Sequence, residues 1–335
     1  MNKKFDFKDI TLLPETVSSI NSRSEIDILT DSKHLPLMVS PMDTVIDYTS
    51  SIDFWQENMI LCYPRGLDPT YTGFKSVSLE EFQRLVEHKT IIKSNILVDV
   101  ANGHMSKLHL LCELFVKIYP EVNLMVGNIA NPKTYEKFAK IGVHYIRVGI
   151  GGGSGCLTSV NIGVHYPMAS LIKECYEIKK ESGYDTKIVA DGGFKNYDDI
   201  IKALALGADY VMLGGILNKT LESCSDTLLF GKLKLSRKQA VNIWTKYPFM
   251  RKFFYKKFRG MSTKEVQKKW GRNQIKTSEG VHRMNRVEYT LSGWTQNFKD
   301  YLRSAMSYTN SKNLNSFKES EFVFITDNAR KRYDK

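Results

Sequence analysis

The amino-acid sequence predicts a single (β/α)₈ barrel of the TIM type. From about residue 95 onward, five short runs of aliphatic and β-branched residues alternate with amphipathic helical segments. No GxGxxG turn follows any of these runs, which favours a barrel over a doubly wound sheet. The 335 residues suit one barrel with insertions, because such barrels range from about 200 to over 400 residues. We therefore assign residues 1–335 to one domain.

The strand-like runs are NILVDV (95–100), NLMVGN (123–128), YIRVGIG (145–151), KIVADGG (187–193) and YVMLGG (210–215). Between them, apolar residues recur at helical spacing in segments 132–142, 167–182 and 197–208. Two of these segments end near Gly142 and Gly207, and glycine commonly ends helices. Near-continuous apolar strands that are separated by single helices indicate a parallel sheet.

The composition is that of an ordinary globular protein, with 42% hydrophobic and 25% charged residues. No apolar run is long enough to span a membrane, and the charged start MNKKFDFKDI differs from a secretory signal. The five cysteines are odd in number and never form a CxxC pair, which argues against disulfides and zinc. We expect a cytoplasmic protein without a membrane partner. The formal net charge of +12 favours anionic ligands.

The carboxyl ends of the strand-like runs are polar or rich in glycine. These ends are Asp99, Asn128, the glycine stretch 149–153, Asp191 and Gly214. In a parallel barrel all of them lie on one rim, where the active sites of this architecture are built. The sequence therefore predicts a ligand-binding rim.

Two glycine turns on the late strands predict a phosphate site. The turns DGG (191–193) and LGG (213–215) each close a strand and open a helix. Glycine lets backbone N–H groups approach an anion closely, and barrels commonly bind phosphate at their late strands. Either turn alone could be a plain strand-to-helix connection, whereas the pair indicates phosphate binding.

The loop between the third and fourth runs contains Cys156, the one cysteine that we interpret as a nucleophile. The others are interpreted as small buried hydrophobes, namely Cys62, Cys112, Cys175 and Cys224. Cys156 follows glycine-rich main chain at the rim and precedes a predicted helix start, and such surroundings lower the pKa of a thiol. Glu279, judged by itself, is most simply a solvated loop or cap residue.

Five motifs, taken together, resemble the IMP dehydrogenase/GMP reductase family. They are GIGGGSGCLT (149–158), DGG (191–193), LGG (213–215), GMS (260–262) and SEG (278–280), in the order and spacing of the family. The segments FDFKDITLLP (5–14), SRSEIDI (22–28) and SPMDTV (40–45) extend the likeness over nearly the whole chain. The resemblance implies a TIM-barrel oxidoreductase that acts on purine nucleoside monophosphates.

The resemblance also implies a mechanism, in which the Cys156 thiolate adds to C2 of the purine. Thr158 and Glu279 would handle the proton that the departing ammonia takes up, a general acid role that contributes about 10²–10⁴-fold. In the reductase branch of the family, NADPH then supplies hydride, and GMP becomes IMP.

Further residues are assigned by the same resemblance. The nucleotide would contact Ser154, Asp191, Gly192, Gly193, Gly214, Gly215, Gly260, Met261, Ser262, Lys276, Ser278 and Gly280. NADPH would contact Ser22, Arg23, Asp99, Val100, Ala101, Ile150, Gly151, Ser304, Ala305, Met306 and Ser307, the last four from a neighbouring subunit of a homotetramer. Arg65 would replace a family lysine. Carbonyl groups of Gly151, Gly153 and Cys156 would hold K⁺, a site weakened because Ser159 replaces a family arginine.

Several features favour the reductase branch. DVANG (99–103) and SRSEID (22–27) are reductase-like, and only 17 residues separate Met261 from Glu279, too few for the flap that activates water in the dehydrogenases. Paired regulatory modules between early strands are also missing. SPMDTV, by contrast, is dehydrogenase-like. Lys276 stands where reductases usually have arginine, and lysine keeps the charge but cannot form the bidentate hydrogen bonds of a guanidinium. Oxidation of IMP to XMP with NAD stays the alternative.

Residues 225–280 are predicted to form an extended basic loop or flap region. Within it, TKYPFMRKFFYKKFRG (245–260) interleaves basic and aromatic residues, as surfaces that bind nucleic acid do. A solvated face or subunit contact is favoured, because runs of charge usually face solvent. A non-catalytic relative that binds RNA or a nucleotide is the second alternative. Intact Cys156, Thr158 and Glu279 argue against it, and we expect no nucleic-acid partner.

Overall fold

The computed structural model describes residues 3–153, 158–261, 263–269 and 280–331. The chain starts with a short strand, β1 (Ile10–Leu12), and then forms a closed barrel of eight parallel strands. The barrel strands are β2 (Leu37–Val39), β3 (Ile60–Tyr63), β4 (Gly73–Val77), β5 (Asn95–Asp99), β6 (Leu124–Ile129), β7 (Tyr145–Val148), β8 (Lys187–Asp191) and β9 (Tyr210–Leu213). Each pairs with the next, and β9 pairs with β2. The predicted barrel is thus confirmed.

Helices surround the barrel. They are α1 (Tyr48–Gln56), α2 (Leu79–His88), α3 (Ser106–Ile118), α4 (Pro132–Lys140), α5 (Thr158–Ile162), α6 (Met168–Ser182), α7 (Tyr197–Ala205), α8 (Gly215–Asn218), α9 (Arg237–Lys246), α10 (Lys264–Lys269), α11 (Leu291–Tyr308), α12 (Leu314–Phe317) and α13 (Asp327–Lys331). Polar caps begin many of them, as in α2, where Ser78 and Glu81 form a reciprocal capping box. No helix in the described ranges is long and apolar enough to cross a membrane.

The barrel strands have two buried faces, which explains their near-continuous apolar sequences. Inward-facing side chains, such as those of Met125 and Val189, fill the barrel interior. Outward-facing side chains, such as those of Val126 and Ile188, pack against the helices. The predicted runs match β5 to β9 within a few residues. β2, β3 and β4 were not predicted. β2 has only three residues, and β4, with its sequence GFKSV, is partly polar. β3 is as long as β7 and β9, so its length does not explain why it was missed.

The described part of 225–280 differs from the expected extended loop. It contains β10 (Thr227–Leu229), β11 (Leu233–Leu235) and β12 (Phe254–Arg259), which join β13 (His282–Arg286) in an antiparallel sheet of order β11-β10-β12-β13. We call these four strands the lateral sheet. Leu229, Leu235 and Phe254 pack against Trp244 of α9 in a separate small core. Part of the aromatic content of this basic segment therefore serves packing.

A buried carboxylate fixes the C-terminal segment to the amino end of the barrel. Asp209, which precedes β9, accepts hydrogen bonds from Lys179 at 2.7 Å and from Lys318 at 2.6 Å. Lys318 lies just beyond α12, so the pair joins α6, the barrel and the chain end. Burial alone would raise the pKa of Asp209, but the two lysines lower it below the usual aspartate value.

We predict that Asp209→Asn lowers the free energy of unfolding by about 3 kcal/mol at neutral pH, because two lysines lose their buried counter-charge. In the native protein the stabilisation by Asp209 is present above the unfolded-state pKa of about 4 and is lost as the pH falls below it. Urea unfolding across this pH range measures both effects. Lys180→Met is the matched control, because Lys180 and Glu319 are mostly exposed and their loss should change stability little.

Candidate active site

The centre of the barrel rim is a buried ion-pair network around Arg147. Arg147 Nη1 lies 2.8 Å from Asp99 Oδ1, and its Nη2 lies 2.7 Å from Asp191 Oδ2. The guanidinium thus connects the ends of β5 and β8 from its place in β7. One signal in the sequence marks this residue, a single charge within the otherwise apolar run YIRV, and our prediction missed it.

Arg65 and Asn128 extend the network. The Arg65 guanidinium donates to the main-chain carbonyl of Asp99 and lies 3.7 Å from its carboxylate, so the predicted lysine replacement does reach the rim. Asn128 donates from Nδ2 to Asp191 Oδ2 at 2.8 Å and to the carbonyl of Gly149 at 2.9 Å. The hydrogen bonds that described residues give to the Asp191 carboxylate all fall on Oδ2.

The two predicted phosphate turns lie beside other rim loops at close range. Gly192 has a φ of +101°, and a Cβ there would lie only 3.0 Å from the main-chain nitrogen of Gly153. A Cβ at Gly214 would lie 2.8 Å from the sulfur of Met42, in the loop that follows β2. Gly192 therefore requires glycine, because its φ is positive and a side chain would press on the main chain of Gly153. At Gly214 a side chain would displace the flexible Met42 side chain.

The glycine stretch after β7 is held by two polar side chains. Ser159 Oγ donates to the carbonyl of Gly151 at 2.9 Å, and His165 Nδ1 lies 3.1 Å from the carbonyl of Ile150. Ser159 therefore occupies one acceptor site of a carbonyl that we assigned to K⁺. Among the described residues, no cluster of three or more His, Cys, Asp or Glu side chains could hold a metal ion.

The predicted base-binding segment starts and ends on the lateral sheet. Gly260 donates its N–H to the carbonyl of Val281 at 3.1 Å, so the segment leaves and re-enters the sheet at adjacent points. Arg259, which precedes Gly260, forms a 2.6 Å ion pair with Asp43 in the loop after β2. Met261 and Gly280 are thereby placed next to the rim.

Several predicted residues lie outside the described ranges. They are Ser154, Cys156, Ser262, Lys276, Ser278 and Glu279, together with the side chain of Thr158. The other residues predicted to bind substrate include Asp191, Gly192, Gly193, Gly214 and Gly215. Asp191 ends β8, Gly192 and Gly193 follow it, and Gly214 and Gly215 follow the adjacent β9, with Gly215 as the first residue of α8.

Comparison with known proteins agrees with this architecture. The sequence profile of the IMP dehydrogenase / GMP reductase domain matches residues 71–333, well over half of the chain. The chain belongs to this family. It is 29% identical to GMP reductase 1 of Mus musculus over 357 aligned positions, which cover 96% of this chain and 95% of that protein.

Two further relatives represent both branches of the family. The GMP reductase of Phytophthora infestans is 27% identical, with 96% of this chain and 91% of that protein covered. An inosine-5′-monophosphate dehydrogenase of Chlorobaculum parvum is 38% identical, but the match covers only 47% of this chain and 31% of that protein.

The residues predicted to bind the cofactor fall into two separate groups in this chain. Asp99, Val100, Ala101, Ile150 and Gly151 lie at the rim. Ser304 to Ser307 lie in the last turns of α11, whose 18 residues extend about 27 Å from the rim side towards the amino end of the barrel. The turn that contains Ser22 and Arg23 contacts α11 and belongs to this second group. Met306 is fully buried, so a ligand can reach its neighbours in α11 but not Met306 itself.

The four described cysteines are poor nucleophiles. Cys62 lies in the barrel interior, where burial raises the pKa of its thiol to about 12 despite the nearby Arg147. Burial also raises the thiol pKa of Cys112 and Cys175, and it raises that of Cys224 to about 12. All four are neutral thiols at physiological pH.

We predict that about one thiol per chain reacts rapidly with an electrophilic disulfide reagent in the native protein at neutral pH, and that it is Cys156. The other four should react only after denaturation, because all four are protonated; Cys62, Cys112 and Cys175 are also buried, and Cys224 is half-buried. Peptide mass spectrometry locates the label, and Cys156→Ala should abolish the rapid phase. Rapid labelling of Cys62 or Cys224 would contradict this assignment of buried and exposed thiols.

Proposed function

We propose that this chain is a GMP reductase that converts GMP to IMP and ammonia with NADPH. The observation that carries this proposal is coverage: the relatives named GMP reductase match along nearly the whole chain, as the mouse protein does over 96% of it. The match to the dehydrogenase from Chlorobaculum covers only 47%. The described rim, with its glycine turns and its carboxylate Asp191, suits a phosphorylated ribose.

In the proposed reaction, Cys156 Sγ forms a bond to C2 of GMP, and the bond between C2 and the exocyclic nitrogen then breaks. Thr158 and Glu279 provide the proton with which ammonia leaves. NADPH, when bound, supplies the hydride that C2 accepts. The Sγ–C2 bond then breaks, and IMP and the thiolate are released. The covalent step divides one difficult displacement into two easier ones.

Each part of the nucleotide has a proposed place. The backbone N–H groups of the turns at Gly192–Gly193 and Gly214–Gly215, with Ser154, bind the phosphate. Asp191 binds the ribose through Oδ1, since Asn128 and Arg147 occupy Oδ2. The purine contacts the segment from Gly260 to Gly280, including Met261, Ser262, Lys276 and Ser278.

The described residues fit a nicotinamide cofactor shared between two subunits. Ala101 is exposed beside Asp99 at the rim, where a nicotinamide ring would meet the purine. Arg23 is exposed near the end of α11, and no described acidic residue pairs with it, so its guanidinium suits the extra phosphate of NADPH. One cofactor could contact both the rim residues and Arg23 only if a second chain places its α11 next to the rim. A homotetramer could provide interfaces of this kind.

The alternative activity has one specific observation in its favour. The match to the dehydrogenase from Chlorobaculum parvum is the more identical one, at 38%, within its shorter range. In that reaction, NAD would oxidise IMP, and water would attack the same thiol adduct to give XMP.

A K⁺ site also remains a proposal. The ion would have to share the carbonyl of Gly151 with the hydroxyl of Ser159.

We predict that the purified protein consumes NADPH when GMP is added and forms IMP and ammonia in equal amounts. With IMP and NAD it should form little or no XMP, because the 17 residues between Met261 and Glu279 leave no room for the flap that activates water. Nicotinamide absorbance and chromatography of the purines measure both reactions. Cys156→Ala should abolish turnover while GMP still binds in calorimetry. Faster XMP formation than GMP reduction would reverse the assignment.

We also predict a homotetramer in which catalysis requires two different chains for each cofactor. Arg23→Glu should abolish NADPH use, since it places a carboxylate where a phosphate would bind. Mixing this variant with Cys156→Ala should restore activity in hybrid tetramers, because some interfaces then combine an intact Arg23 with an intact Cys156. Light scattering measures the assembly. An active monomer, or no recovery after subunit exchange is verified, would argue against a shared site.

A further inference from the structure

Asn218, the last residue of α8, is fully buried, with 0% of its surface exposed. Its main-chain N–H donates to the carbonyl of Gly214 at 2.9 Å and closes the single helical turn that follows the predicted phosphate turn. The backbone of Asn218 is therefore part of the structure that sets the position of Gly214 and Gly215. None of the sequence motifs that predict the site includes Asn218.

The side chain of Asn218 uses its donors and its acceptor on three other segments. Nδ2 donates to the carbonyl of Thr44 at 2.8 Å and to the carbonyl of Lys257 at 3.1 Å. Oδ1 accepts from Asn285 Nδ2 at 2.8 Å. A buried amide that is satisfied in this way specifies one geometry, because each lost partner leaves a buried polar group unpaired.

The three partners share one feature, which is that each lies close in sequence to residues at the rim or at the ends of the base-binding segment. Thr44 follows Met42, whose sulfur packs on Gly214. Lys257 in β12 is followed by Gly260 and Met261, and β13, which contains Asn285, begins shortly after Gly280. Asn218 therefore connects the phosphate turn to both strands from which the base-binding segment starts and ends.

We propose that Asn218 is a positioning residue that sets the distance from the phosphate turn to Met261, which follows β12, and to Gly280, which precedes β13. This inference rests on the proposed function. If this distance is correct, a nucleotide whose phosphate is bound at the turn has its C2 atom close to the residues that neighbour Met261 and Gly280 in the chain. Misplacement of reacting groups by about 1 Å can reduce the rate about a hundredfold.

Other contacts hold the lateral sheet and the segment after it on the barrel independently of Asn218. Tyr289 donates to the carbonyl of Ile216 at 3.0 Å, and Arg259 pairs with Asp43 at 2.6 Å. Loss of the Asn218 amide should therefore shift the sheet without releasing it, which makes a variant informative.

The test separates positioning from general stability by measuring kcat and GMP affinity in Asn218→Ala. We expect kcat to fall about ten- to a hundredfold. The Kd for GMP, measured by calorimetry in the Cys156→Ala background, should change much less than kcat, because the phosphate turn is intact. Asn285→Ala removes one partner of the same amide and should produce a smaller loss of the same kind. If Asn218→Ala does not fold, Asn285→Ala provides the same test.

Thr186→Val is the matched control, because it removes one buried hydrogen bond, that from Thr186 to Val143, at the amino end of the barrel. It should lower stability and leave kcat and Kd unchanged. An unchanged kcat in Asn218→Ala, or parallel losses of kcat and affinity, would refute the positioning role. If the native protein itself does not turn over GMP, the proposed function fails instead, and the two failures are thereby distinguished.

Discussion

The rim depends on one constraint, which is that the buried charge of Arg147 must be compensated. Burial alone would lower the pKa of Arg147, but Asp191 and Asp99 raise it above the usual value, so the guanidinium stays charged. Removing either carboxylate would leave a buried, partly unpaired cation, which proteins tolerate poorly. β5, β7 and β8 must therefore end at similar positions along the barrel axis, so that the three side chains meet. Asp99 and Asp191, which we propose for cofactor and substrate, are positioned together for this reason.

The same constraint shows where sequence-based prediction succeeds and where it stops. Apolar periodicity identified β5 to β9, because strands with two buried faces have few polar residues. It missed β2, with three residues, and β4, with the sequence GFKSV, because short or polar strands give a weak signal. It also missed the role of Arg147, since strand periodicity places a residue on a face but does not reveal that two carboxylates on other strands meet it.

Motifs place residues in order along the chain, whereas the site depends on distances. The cofactor residues assigned by family resemblance are a single set in sequence, yet α11 separates them into two groups in one chain. The lateral sheet was not predicted, because interleaved basic and aromatic residues are common to solvated faces and strands alike. In β12 the alternation resolves this ambiguity: Phe254, Lys256 and Phe258 are buried, and Lys257 between the last two is exposed.

The lateral sheet bears on the proposal that one barrel binds a nucleotide at two separate points. Backbone turns at the rim suit a phosphate, which needs N–H donors, whereas a purine base needs a few precisely placed polar groups that fix its orientation. Loops alone would hold those groups loosely. Here the groups start and end on strands that have their own core at Trp244 and that bond to the barrel through Asn218 and Arg259. Rigid elements thus determine the position of both proposed binding points, as the chemistry proposed at C2 would require.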